Sequence, residues 1–245
     1  MRYLVISDIH ANQAALCAVL ADADNYDFVW HLGDLVGYGP SPNECIEQLR
    51  DLPHLSLAGN HDWAALGKLD ITSFNSDARL SSVWTQGELS DASREYLETL
   101  LTNMTHDQFT LAHASPRQPV WEYVLDPLIA QRNFAYFETP FCMVGHTHVP
   151  VIYFQSSGSP NGCKTWPPPY EEPLSLENAQ GRLILNPGSV GQPRDGNPQA
   201  SYAILDTDEM TWEHRRVAYP IEITQDRMRA RELPRRLIER LEYGR

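Results

Sequence analysis

Residues 2–34 read RYLVISDIHANQAALCAVLADADNYDFVWHLGD, and their pattern decides the fold class. Residues 2–7 form a short apolar, partly β-branched run that ends in polar residues, the pattern of a buried strand. Residues 12–23 place apolar side chains at helical spacing. Residues 27–34 return to an apolar run and close on a Gly-Asp turn. The unit then repeats. SPNECIEQLRDL (41–52) opens with Ser41, has Pro42 at the first helical position and carries Glu44 three residues after Ser41, which predicts a capped helix start. HLSLAGNHD (54–62) reads as a third strand running into a loop. Strand, helix, strand, helix, strand at this pitch predicts βαβ units on a parallel sheet.

Outward from that unit the pattern changes. Residues 62–102 read as mainly helical, 108–115 as a strand, 125–138 as a helix, and 141–146 and 149–154 as strands. SSGSPNGCKTWPPPYEEP (156–173) holds five prolines and is expected as an exposed loop or insertion. Strands follow at 181–186, 201–206 and 211–217, and an arginine-rich helix at 221–243. We expect one domain over 1–245, with two packed sheets flanked by helices.

The chain has 245 residues, 42% hydrophobic and 21% charged, an ordinary globular balance. Nineteen Lys and Arg against 32 Asp and Glu give a formal net charge of −13. That acidity argues against holding nucleic acid by general electrostatics, but not against a site that binds cations. Cys17, Cys45, Cys142 and Cys163 show no metal or disulfide spacing. No leader pattern and no membrane-length apolar stretch stand out, so a cytoplasmic location and no membrane partner are expected.

Ligand-type residues gather at the strand ends. SDIH carries Asp8 and His10, LGD carries Asp34, AGNHD carries Asn60, His61 and Asp62, LAHAS carries His113, and GHTH carries His146 and His148. Strand alternation would place His146 and His148 on one face. In an open α/β sheet the functional crevice lies beyond the carboxyl ends of the strands, where all five motifs would converge. Carboxylate, imidazole and amide oxygen are all metal-ligand types. A lone Asp after a strand is more often a cap or turn former, and a lone buried His a hydrogen-bonded core residue. Five such coincidences weaken that explanation.

DIH, GD, GNHD, H and GHTH, in this order, resemble the calcineurin-like metallophosphoesterase superfamily. NPGSVGQPRDGNPQASYAILD (186–206) is similar to the closing segment of its small bacterial and archaeal phosphodiesterases. The resemblance implies a four-layer α/β/β/α sandwich with two mixed β-sheets. It implies that Asp8, His10, Asp34 and His148 hold one divalent ion, that Asp34, Asn60, His113 and His146 hold a second, and that Asp34 bridges them. Manganese is the first expectation, with iron, nickel, zinc or magnesium as alternatives. Two ions about 3.5–4 Å apart would lower the pKa of a bridging water for in-line attack on phosphorus. The resemblance implies that His61 faces the leaving group as an imidazolium, with Asp62 on its other ring nitrogen; a helix cap is the alternative for Asp62. Asn12 could contact a phosphate or cap the first helix. Arg194 suits phosphate recognition or a plain surface loop. Ala11 stands where the family often shows Gly, which puts the local backbone in question. Tyr38 could line the pocket, and Trp166 and Tyr170 could stack on a base. The expected reaction is hydrolysis of a phosphodiester in a small molecule, nucleotides included. The alternatives are a monoester or phosphoprotein phosphatase, a dinucleoside polyphosphate hydrolase, and a catalytically silent metal-binding scaffold.

Overall fold

The computed structural model describes residues 1–159, 162–177 and 179–245. Strand β1 (Arg2–Ile6), helix α1 (Gln13–Asp22), strand β2 (Phe28–His31), helix α2 (Pro42–Arg50) and strand β3 (His54–Ser56) follow one another, and the three strands are parallel. Pro42 pre-sets the first turn of α2. Ser41 occupies the cap position, but its side chain makes no capping bond.

After helices α3 (Asn60–Ala65), α4 (Ser76–Glu88) and α5 (Asp91–Glu98) come strands β4 (Asn103–His106) and β5 (Phe109–Ala112). Helix α6 (Pro127–Asn133) precedes strands β6 (Phe141–Met143), β7 (Val151–Ser156), β8 (Cys163–Trp166), β9 (Leu174–Ser175), β10 (Gly181–Asn186), β11 (Ala200–Asp206) and β12 (Thr211–Val217). Helices α7 (Ile221–Ala230) and α8 (Arg235–Glu239) close the chain. One sheet runs β3-β2-β1-β11-β12-β9 and the other β4-β5-β6-β10-β7-β8. Both are mixed: β11 is antiparallel to β1, and β7 is antiparallel to β10.

Alternation along the strands explains the four layers. In β1, Tyr3 and Val5 join Trp30, Leu111, Met143 and Leu185 in a core between the sheets. Leu4 and Ile6 face the other way, onto Leu16, Val19 and Ile46 of α1 and α2. In β10, Leu183 and Leu185 face the inter-sheet core, whereas Ile184 packs with Ala130 and Phe134 beneath α6. Helices therefore cover the outer faces of both sheets, the expected α/β/β/α sandwich. No helix among the described residues is long and apolar enough to cross a membrane.

Two expectations are corrected, and one strand is new. The proline-rich segment is not all loop, because β8 pairs antiparallel with β7 and Trp166 packs against Phe154 at 6.3 Å. The prolines flank this edge strand instead of interrupting it. Residues 221–243 are not one helix: α7 ends at Ala230 and α8 starts after Pro234. Proline lacks an N–H and disfavours the helical region for Leu233 before it. Finally, β4 extends the second sheet at a stretch whose polar Asn-Met-Thr-His sequence carries little strand signal.

Candidate metal centre

The chain leaves the strands of this crevice through left-handed turns. Asp8 (φ +53°), His10 (+48°), Asp34 (+56°), His146 (+63°) and His148 (+61°) all have positive φ, a conformation that costs about 1–2 kcal/mol per non-glycine residue. This corrects the strand-face reading of His146 and His148. β6 ends at Met143, so both histidines lie on the loop beyond it, and their rings serve different groups. Ala11 is also left-handed, at +52°, the conformation a glycine would adopt without strain. Two glycines make room for the ligands. A Cβ on Gly33 would lie 2.6 Å from the His113 ring, and one on Gly59 would overlap the Asp34 carboxylate.

The ligand-type side chains form two buried groups, Asp8–His10–His148 and Asp34–His113–His146. In the first, His10 Nε2 lies 3.1 Å from His148 Nε2, and His148 Nε2 lies 3.3 Å from Asp8 Oδ1. In the second, His113 Nε2 lies 3.3 Å from Asp34 Oδ2 and 3.3 Å from Asn60 Oδ1. Asp34 Oδ2 is also 3.7 Å from His10 Nε2, so one oxygen faces both groups. Asn60, at 4% exposure, joins the second group as an amide.

The tautomers follow from main-chain partners. The Nδ1 atoms of His10, His113 and His148 sit 3.2, 2.9 and 2.5 Å from the carbonyl oxygens of Val36, Leu32 and Gln192. A carbonyl only accepts, so each Nδ1 carries a proton, and the rings of His10 and His148, when neutral, offer a bare Nε2 to the site. Burial holds His10 and His148 well below the usual histidine range, hence neutral. Two bare nitrogens 3.1 Å apart repel, and a cation between them removes the repulsion. Asp34 Oδ2 and His146 Nε2 are likewise buried without a hydrogen-bond partner. The donor set thus fits divalent ions.

Charge is crowded here. Burial raises Asp8 to about 7; the His113 charge opposes the rise and the Asp34 charge adds to it. Burial acts to raise Asp34 too, but His113 and His61 hold it well below the carboxylate range. Burial lowers His113, yet the facing Asp34 carboxylate wins and lifts it to about 9. Main-chain amides supply further positive potential: His61 N donates to Asp34 Oδ1 at 2.8 Å, and His146 N donates to Asp8 at 3.0 Å.

His61 borders the groups, its ring 5.0 Å from His10 and 4.2 Å from Tyr38. Burial holds it down to about 4, and its Nδ1 has no partner. The expected imidazolium held by Asp62 is therefore corrected. Asp62 accepts from three amides instead, those of Asp34 (2.9 Å), Gly59 (2.9 Å) and Val36 (3.0 Å). It ties the loop after β2 to the start of α3, which is the capping alternative carried one step further.

Asn12 is likewise corrected as a substrate contact. Its Oδ1 accepts from Ala15 N and Thr224 Oγ1, and its Nδ2 donates to Gly191 O and Tyr219 Oη, so it caps α1 and ties down α7. Arg194 lies beside the site, donating to Gln192 Oε1 (3.0 Å) and Tyr38 Oη (3.5 Å). Tyr123, which sequence reasoning missed, stacks on His146 at 3.8 Å. Tyr170 lines a different pocket, with His214 and Arg216, and Trp166 packs in the second sheet, so neither reaches this one.

Comparison with known proteins identifies the family. The sequence profile of the calcineurin-like phosphoesterase superfamily domain matches residues 1–210. An uncharacterized protein of Methanocaldococcus jannaschii is 38% identical over 98% of this chain and 97% of its own length. The crystal structure of a metallophosphoesterase from Sphaerobacter thermophilus superposes with a TM-score of 0.90 at 47% identity, covering 100% of this chain and 99% of that one. A hypothetical protein from Pyrococcus horikoshii shares the fold at a TM-score of 0.78 and 21% identity, covering 100% and 98%.

Proposed function

Since the chain belongs to the calcineurin-like phosphoesterase superfamily, we propose that it hydrolyses a phosphodiester bond of a small molecule at the paired ligand groups. The observation that carries this reading is the pair of buried groups facing one shared carboxylate oxygen, with ring nitrogens that only a cation reconciles. Asp8, His10, Asp34 and His148 would hold one ion and Asp34, Asn60, His113 and His146 the other, with manganese first among the metals. Bound divalent ions supply Lewis acidity and a water deprotonated near neutral pH. The chain's own residues do the rest. The carbonyls of Val36, Leu32 and Gln192 fix three imidazoles in the tautomer that presents Nε2. The buried walls exclude bulk water. His61, with one ring nitrogen free of partners, would donate a hydrogen bond from its neutral ring to the departing alkoxide oxygen. Arg194 would orient a phosphoryl oxygen beside Tyr38. The four cysteines are free thiols, which supports a reducing cytoplasmic setting.

The test pairs bis-p-nitrophenyl phosphate with p-nitrophenyl phosphate on metal-stripped, manganese-reloaded protein, with Asp34→Asn as control. Diester hydrolysis that falls at least a hundredfold in Asp34→Asn is the expected result. Turnover of the monoester alone would replace the diester reading with a phosphatase. No turnover of either ester, with two ions bound by elemental analysis, would overturn hydrolysis and leave a binding scaffold.

A further inference from the structure

We infer that an arginine-lined pocket beside the ligand groups binds a second, non-scissile phosphate, so that the preferred small-molecule substrate carries more than one phosphate. This rests on the phosphoesterase reading above. The pocket encloses about 660 Å³, a size that holds small-molecule ligands, and Tyr38, Tyr123, Arg194, Arg236, Arg240 and Arg245 line it. Its inner wall abuts the ligands: Tyr38 lies 4.6 Å from the His10 ring, and Tyr123 stacks on His146. Its outer wall is α8 and the turn that follows. Leu233, Leu237, Ile238 and Leu241 pack with Tyr38, Ala78 and Met228, and this anchors the segment with Arg236 and Arg240 one helical turn apart along it.

The charges there are unbalanced. None of the four arginines forms an ion pair among the described residues. Arg194 gives a guanidinium nitrogen to Gln192 and Tyr38, and its buried Nε has no partner. Arg240 Nε donates to the Arg245 main-chain oxygen, and the Arg236 guanidinium makes no hydrogen bond among the described residues. Two carboxylates also line the pocket, Asp77 and Glu239, but Glu239 is engaged by Arg235 at 2.5 Å. Burial, then the nearby Arg194 charge, holds Arg240 down to about 10, and the opposing Asp77 charge does not offset them. In a chain of net charge −13, with 32 acidic residues available, four unpaired guanidiniums around one cavity mark a place reserved for an external anion. The guanidinium fork matches phosphate oxygens two at a time. A scissile phosphate at the ligand groups would engage Arg194, leaving Arg236, Arg240 and Arg245 for a further phosphate.

Calorimetry on the metal-free full chain tests the subsite without turnover, with inorganic tripolyphosphate and orthophosphate as probes. Tripolyphosphate should bind at least tenfold more tightly than orthophosphate. The Arg236→Ala/Arg240→Ala double variant should lose at least tenfold of that affinity at an unchanged melting temperature. Should the double variant not fold, Arg236→Ala alone, at an exposed position, should lose at least threefold. On manganese-reloaded enzyme, kcat/KM should be at least tenfold higher for an adenosine dinucleotide joined by four phosphates than for one joined by a single phosphate. That gap should close in the variant, through KM. Equal affinity for the two probes, or no loss in the variants, overturns the inference. Arginine-dependent binding of a 5′-phosphorylated oligonucleotide tighter than tripolyphosphate would overturn the small-molecule assignment. Failure of every ester to hydrolyse, with tripolyphosphate binding intact, would sink the phosphoesterase reading and leave the anion site standing.

Discussion

Asp62→Asn separates a structural from a chemical role at the centre of the site. The Asp62 carboxylate accepts three buried main-chain N–H groups, from Asp34, Val36 and Gly59, and makes no bond to His61. An asparagine keeps one acceptor oxygen and turns an N–H₂ group toward amides that can only donate. The oxygen that serves both Asp34 N and Gly59 N is the costlier one to lose, so the amide oxygen should settle there and Val36 N be left orphaned against the N–H₂ group. A buried donor without an acceptor costs about 1–3 kcal/mol, and replacing a charged acceptor weakens the remaining two bonds by roughly 1 kcal/mol together. The sum is about 3 kcal/mol, or a melting temperature lowered by roughly 6–12 °C for a chain of this size. Because the clamped loop carries Asp34 and leads into Asn60, manganese affinity should fall together with stability. Scanning calorimetry of metal-free protein and a manganese titration measure both. A variant that melts within 2 °C of the parent and binds manganese normally, yet hydrolyses esters far more slowly, would refute the clamp and restore a catalytic role for Asp62.

Two further predictions concern stability away from the site. Burial, and to a lesser extent Arg216, hold His214 down to about 4, whereas an unfolded histidine titrates near about 6.5. As pH falls the unfolded chain takes up the proton first, so the contribution of neutral His214 is complete above about 6.5 and is lost on the way to about 4. Near pH 5 the loss is about 2 kcal/mol. Urea midpoints at pH 8 and pH 5 should show it, and His214→Asn should shrink the difference while His31, held down to about 3, leaves a residual slope in the same direction. Trp30 is fully buried between the sheets, 4.2 Å from Tyr3 and 5.4 Å from Phe109. Trp30→Ala should cost about 4 kcal/mol by urea unfolding. Trp30→Phe should cost less than half of that, because the indole N–H already lacks a partner.

The ligand-type groups were readable in the chain because each sits in a short motif directly after an apolar run, and burial of that run carries the motif to the crevice. The local conformation was not readable. Strand alternation placed His146 and His148 together, whereas left-handed turns send one ring to Asp34 and the other to Asp8. For Asp62 and Asn12 a cap and a chemical role stood side by side, because the partners that decide between them, at Val36, Gly191 and Thr224, are set by tertiary packing that spacing does not encode. The arginine pocket escaped notice because Arg194 and Arg240 are far apart in the chain. One signal was available. Pro234 inside an otherwise helical, arginine-rich run marks the break that folds α8 back toward Tyr38.

That fold-back also divides the site between two parts of the chain. The family profile matches residues 1–210, and α7, α8 and the arginines they present lie beyond it. Every ligand-type side chain comes from residues 1–210, while three of the four pocket arginines come from the terminal segment. Mutation can therefore rewrite the outer wall without displacing a single ligand. Substitutions at Arg236, Arg240 or Arg245 therefore leave all the ligand-type groups in place, which lets the two halves of the site be altered one at a time.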